Sequence, residues 1–510
     1  MSTAVSTTTS LAPAEVQAAP DHVGKELKHG MFFNTIALLA SNFRGVFTFL
    51  IARLLGAAAL GTFLVAWATT DILSKIGMFG LDNAIIAFIA RSEAAGEHAR
   101  SRALFRLGAL LAVMQSVITA ALAIVVIQFA GTKLGFHPEV VAVLSVLLCS
   151  MPGVNLYRFC TAVSRGMKVM KHDIWSRGVT ESAVTTLAFV GAVLLGWRTY
   201  GAAIAAIIGT GASGLVALAL ASSLFRSAPR AHHAISYRRE AWRLVSYSAS
   251  ISGYDLINSF IVRLDVIMLG AFIGHAPGVT LARVGIYGAV VEVANGLRKV
   301  NQTFTPIFAP IVASMTAGGE QHHAAATFAR VSQWMLWVLL PMLGVLALCG
   351  GLMLTIYGGA FREGAVWLDV VAIACGANTF VGLAETVIMV QRPGINLVNS
   401  AVACVVAVIA NVVLIKLFGT IGAAFGILIP YLLLGVLRHR TLRLVFGWQR
   451  PWTNVAPPVI AALIALVPAI PLRLALGRIS GEVISAVVFL LVFGLEWWWF
   501  HYRREPRAAR

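Results

Sequence analysis

The sequence predicts an all-α integral membrane protein of about 14 transmembrane helices. Two six-helix bundles are expected, related by a pseudo-two-fold axis along the membrane normal, with a central cavity between them and two extra C-terminal helices. Three observations carry this. Hydrophobic residues make up 59% of the chain and charged residues 12%, where soluble domains hold about 45–50% and about 25%. Apolar stretches long enough to cross a bilayer follow one another to the C-terminus. Short motifs return at a nearly constant offset, so one unit has been used twice.

Residues 1–24 are rich in Ser, Thr, Ala and Pro and lack the basic n-region and apolar h-region of a signal peptide, so they read as a disordered cytoplasmic tail. The spans, numbered one to fourteen, are 31–53, 60–90, 104–131, 139–163, 178–197, 200–224, 245–273, 284–312, 331–357, 364–390, 395–417, 420–442, 454–476 and 481–501. They group into an N-terminal bundle over 25–225, a cytoplasmic linker over 226–243, a C-terminal bundle over 244–446, and two further helices with a basic tail over 447–510. Cys149, Cys160, Cys349, Cys375 and Cys404 fall inside apolar stretches with no Cys-x-x-Cys pair and no His at ligand spacing, so they read as reduced packing residues and no metal site is expected.

Counting Lys and Arg in alternate connections tests orientation. With the N-terminus inside, the inner segments hold 25 of the 39 basic residues and the outer loops eight. That alternation predicts cytoplasmic N- and C-termini in a cell inner membrane. It also accounts for most of the net charge of +18 through topology and anionic lipid headgroups, so nucleic acid is not an expected partner.

The repeat is visible in LGTF at Leu60–Phe63 against VGIY at Val284–Tyr287, in LLGA at Leu54–Ala57 against MLGA at Met268–Ala271, and in YGAAIA at Tyr200 against IGAAFG at Ile421. Six helices is an even number, so both halves run the same way through the bilayer and enclose a cleft.

Span seven organises the rest. Wound at about 100° per residue, Ser248, Ser252, Asp255, Ser259 and Arg263 form one polar seam on an otherwise apolar cylinder. An ionisable group facing lipid costs about 2.5–3.5 kcal/mol or more, so the seam should face helices or a watery cavity. Span one gathers Asn34, Ser41, Arg44 and Thr48; span two Asp71, Ser74, Lys75 and Asp82; span eight Glu292, Asn295, Arg298, Lys299 and Gln302. If these seams meet across the cleft, Arg44, Arg263, Arg298 and Lys299 make it cationic and suited to a diphosphate, because guanidinium offers paired donors to phosphate oxygens. Asn34, Asn258 and Asn295 would serve sugar hydroxyls. The plainer readings are an i, i+4 pair between Asp71 and Lys75, snorkelling of Arg298 and Lys299, and interfacial anchoring by Arg158 and Arg165. Asp255 lies too far along the helix to pair with Arg263, which is either a cavity residue or half of an interhelical pair. Gly77, Gly80, Gly253, Pro306 and Pro310 are the expected hinges.

The opening FNTIALLASNFRGVFTFLIARLLGAAALGTF, its echo VRLDVIMLGAFIG and VGIYGAVVEV, and the late ANVVLIKLFGTIGAAFGILIPY resemble the Wzx-type polysaccharide flippases of the multidrug/oligosaccharidyl-lipid/polysaccharide exporter superfamily, from about residue 30 to 445. The resemblance implies two bundles forming a V that opens to either side alternately, carrying polyprenyl-diphosphate-linked oligosaccharide outward for exopolysaccharide, capsule or O-antigen synthesis. Expected partners are that glycan, membrane lipids, and a polysaccharide polymerase and glycosyltransferases, with the carrier itself a monomer. The two extra helices occur in several branches, peptidoglycan-precursor flippases included.

No nucleotide-binding loop or domain-sized connection is present, so neither ATP hydrolysis nor a cofactor is expected. A proton or sodium gradient would drive the cycle, with Asp71, Asp255, Glu292 and Glu385 as candidate coupling carboxylates. A drug or small-cation exporter of the same superfamily should show an acidic, aromatic cavity. A membrane glycosyltransferase or polymerase should carry a large outer loop, and no outer loop here exceeds about a dozen residues. A carrier, not an enzyme, is the expectation.

Overall fold

The structure is a computed structural model that describes residues 43–226, 237–319, 321–448 and 452–504. All regular elements among the described residues are helical. Every expected span carries helix, span one from Phe43 onward. Among the described residues ten helices are long and apolar enough to cross a membrane; the first joins spans one and two across a kink at Gly56, where φ is 86°. Spans five, seven and eight fall outside that count: span seven (Tyr237–Ala271) because Asp255, Arg263 and Asp265 interrupt its apolar run, span five because it is divided into Ile174–Glu181 and Ser182–Leu194, and span eight because it is divided into the short Leu281–Ala294 and the polar Gly296–Ala317. The protein is a multi-pass membrane protein.

Some local expectations need revision. Residues 237–243, assigned to the linker, are the first turns of span seven's helix. Span two does break near the expected Gly80, whose φ of 72° starts the helix Leu81–Ala94. A methyl group there would lie 2.8 Å from the Ser248 carbonyl oxygen, so both conformation and space require glycine. Span eight breaks at Asn295, ahead of both prolines. Span five opens with a π-helix, Ile174–Glu181, before Ser182–Leu194; such segments are frequent at functional sites.

The halves meet where small residues let backbones touch. A Cβ on Gly61 would lie 2.1 Å from the Leu281 carbonyl oxygen, and one on Gly285 1.9 Å from that of Ala57. Gly61 and Gly285 occupy equivalent places in LGTF and VGIY, so the pseudo-two-fold axis passes between counterpart glycines, as in a self-complementary interface.

Buried amides tie helices within each half. Asn155 of span four donates to the Ser74 carbonyl at 3.1 Å and to Ser116 Oγ at 2.7 Å. Asn411 of span eleven donates to the Gly426 carbonyl of span twelve at 3.2 Å. The last two helices, Trp452–Ala475 and Arg478–Arg504, lie against Gln321–Thr355. Buried Glu482 fixes them there: it takes the Arg362 guanidinium and accepts from the Leu352 backbone N–H at 2.7 Å.

Candidate functional site

Spans two and seven run antiparallel in contact for their whole shared length. Gly270 faces Val65, and Ser248 and Ser252 face Gly80. Between these close approaches the polar seams of the two helices interlock. Arg263 donates from Nε to Asp71 Oδ2 at 3.2 Å, and Lys75 donates to Asp255 Oδ2 at 2.5 Å. Arg158 of span four closes on the other oxygen of Asp71 at 2.6 Å. Asp71 and Lys75 thus do not pair with each other; each reaches across to the other half. Arg158 is no interfacial anchor but part of this network. At the Gly80 end Arg100 holds both oxygens of Glu240 at 3.1 and 3.2 Å, adding a further link between span three and span seven.

Two cavities flank the seam. The smaller, about 60 Å³, is lined by Phe47, Phe63, Trp67, Glu181, Arg263 and Glu292 among others. The larger, about 540 Å³, lies within the C-terminal half between spans seven, eight and ten and includes Asn258, Val262, Arg298, Asn301, Asn378 and Glu385. Arg298 donates to the Tyr431 hydroxyl at 2.5 Å and lies 5.5 Å from that ring's centre. Glu385 accepts from the Tyr254 hydroxyl and pairs with fully buried Arg438 at 3.0 Å.

The candidates therefore divide. Arg263 and Glu292 face the small cavity, Asn258, Arg298 and Glu385 the large one, and Asp71 and Asp255 the seam. Asn295 and Lys299 line neither cavity; Asn295 Oδ1 is buried without a hydrogen bond among the described residues. Asn34 and the Arg44 side chain lie outside the described residues. The expectation that Arg263 and Arg298 share one cationic chamber is revised. A step of about 100° per residue turns Arg263 away from Val262 and Asn258, and the break at Asn295 separates Glu292 from Arg298.

Glu181, Arg438 and Asn378 were not among the candidates. Asn378 had a readable signal: Asn378, Thr379, Glu385 and Thr386 recur at helical spacing in span ten. Arg438 lies near the inner end of span twelve, and the helix Thr420–Val445 runs past it and leaves it fully buried.

A family model described as Polysaccharide biosynthesis protein matches residues 27–312. Among solved structures, the lipid II flippase MurJ in an inward closed conformation aligns at TM-score 0.70, with 12% identity over 92% of this chain and 99% of that one. An inward-facing multidrug resistance MATE family transporter of the MOP superfamily aligns at 0.66, with 12% identity over 80% and 94%. The Vibrio cholerae MATE transporter VcmN in the bent form aligns at 0.55, with 19% identity over 84% and 99%. No curated protein matches by sequence.

Proposed function

The chain belongs to the polysaccharide biosynthesis protein family, and from that premise we propose that it is a flippase for polyprenyl-diphosphate-linked oligosaccharide, working by alternating access in the cell inner membrane. The observation that carries the reading is the polar seam between spans two and seven, with Arg263 opening into one cavity and an amide-rich hollow directly behind it. Among the described residues Arg263 uses only Nε, on Asp71, which leaves both terminal nitrogens for a phosphate oxygen. Arg158 and Lys75 are the nearby reserve of positive charge, released as Asp71 and Asp255 change partners.

The cycle needs a gradient, each charge moved being worth about 2.3 kcal/mol per 100 mV. Of the four candidate carboxylates, Asp71, Asp255 and Glu385 are ion-paired, and Glu292 makes no ion pair among the described residues. Glu292 is therefore the group best placed to take up a proton or sodium ion. A small-cation exporter is the second reading, favoured by the acidic and aromatic lining of the small cavity.

One experiment separates the two. Proteoliposomes loaded with a fluorescent undecaprenyl-diphosphate disaccharide should flip it in a gradient-dependent way, and Arg263→Ala should abolish that flipping while insertion and abundance stay near normal. Gradient-driven efflux of an organic cation without lipid flipping would replace the first reading with the second.

A further inference from the structure

The larger cavity has chemistry of its own. Its about 540 Å³ falls within the roughly 300–1,000 Å³ of cavities that enclose a small ligand. Four carboxamides face it, from Asn258, Asn301, Gln302 and Asn378. Those of Asn258, Gln302 and Asn378 hydrogen-bond to no described residue, so their donors and acceptors are available.

A carboxamide both donates and accepts, as does a sugar hydroxyl. A phosphate oxygen only accepts, and a lipid tail does neither. Threonine hydroxyls complete the lining, and no aromatic ring lines the cavity among the described residues, so recognition there is by hydrogen bonds and not by stacking. The two charged groups are already engaged, Arg298 with Tyr431 and Glu385 with Arg438 and Tyr254. A charged ligand would have to displace one of them; an uncharged polar ligand need not.

The cavity also adjoins the cation site. Val262 lines the large cavity and Arg263, the next residue, the small one. Their Cα atoms are therefore about 3.8 Å apart, and the helix between the two openings is only about 10–12 Å across. About 100° of turn separates the two openings around that helix, so a diphosphate beside Arg263 and the sugar bonded to it would follow its surface from one to the other.

We propose that this cavity is the glycan subsite of the carrier, taking the first uncharged sugar units, hexose or N-acetylhexosamine, while the diphosphate lies beside Arg263. The assignment rests on the flippase reading above. It makes the C-terminal half the part that selects the glycan and the seam the part that recognises the shared lipid diphosphate.

The test uses the full chain in nanodiscs and three probes: undecaprenyl diphosphate without sugar, the same lipid bearing a neutral N-acetylhexosamine–hexose disaccharide, and the same lipid bearing a uronic acid in place of the hexose. Wild type should bind the neutral glycolipid tightest. Asn258→Ala combined with Asn378→Ala should weaken the neutral glycolipid about 10-fold and leave the bare lipid unchanged, each lost hydrogen bond contributing part of that factor. Thr386→Val serves as a second variant, read the same way, should the double variant fold poorly. Arg263→Ala should weaken all three probes together. Equal wild-type affinity for bare and sugar-bearing lipids, preference for the uronic acid, or equal losses for every probe in the amide variants would overturn the glycan subsite alone. Failure of wild type to bind even the bare diphosphate lipid would overturn the flippase reading and the subsite with it.

Discussion

Removing either member of the Lys75–Asp255 pair should loosen the contact between the two halves at its Gly80 end. The side chains are 22% and 32% exposed and meet at 2.5 Å. Exposed ion pairs are worth about 0.2–1 kcal/mol, and hydrogen bonds to charged groups about 1.5–3 kcal/mol. A pair about a quarter exposed falls between these, at about 1.5 kcal/mol, or about a 10-fold change in the equilibrium between this arrangement and one with the seam parted.

Ser252 reports that equilibrium because it packs against Gly80 across the seam. In a Cys149→Ser background, where the remaining native cysteines are buried or half-buried, a cysteine at 252 should react slowly with a soluble maleimide. Lys75→Ala or Asp255→Ala should raise the labelling rate about 10-fold, the double variant should add little more, and the exchange of Lys75→Asp with Asp255→Lys should bring the rate back down. Single variants that label like wild type, or an exchange variant as fast as the singles, would refute the pairing as a latch.

Three further outcomes follow from the same packing. Gly61→Ala or Gly285→Ala pushes a methyl group to 2.1 or 1.9 Å from a backbone oxygen of the other half; each should destabilise by about 1–3 kcal/mol or more, with the double variant less than additive because one separation relieves both clashes, as read by thermal unfolding in detergent. Arg438→Met strands the Glu385 carboxylate near a buried site and should lower stability by about 3–5 kcal/mol, whereas Arg438→Met with Glu385→Met should recover most of it. Burial and the neighbouring Lys171 charge hold the His172 imidazole below its usual range, with Ser164 Oγ at 2.9 Å from Nδ1. The folded state therefore keeps His172 neutral while the unfolded chain takes up a proton below about pH 6.5, so stability should fall as pH drops through that value, and His172→Gln should flatten the fall in a pH series of melting temperatures.

What could be read from residues alone follows the reach of each signal. The fourteen spans were legible because leaving water is a local property, and the repeat because LGTF and VGIY each keep the glycine that meets its counterpart on the pseudo-two-fold axis. Partners across helices were not. Asp71 and Lys75 are neighbours on one helix face, yet each pairs with a residue of span seven, and the register that brings Arg263 to Asp71 is set by Gly270 on Val65 and Gly80 on Ser252. Helical periodicity assigns a residue to a face but not a face to a neighbour, which is why Arg263 and Arg298 were expected in one chamber and open into two. Arg438 shows the same limit from the other side: hydropathy places it at the inner end of span twelve beside other cations, and only the fold pairs it with Glu385 in the interior. Ionic residues in the spans of this chain thus mark where helices meet, between the halves at Arg263–Asp71 and Lys75–Asp255 and within one half at Arg438–Glu385.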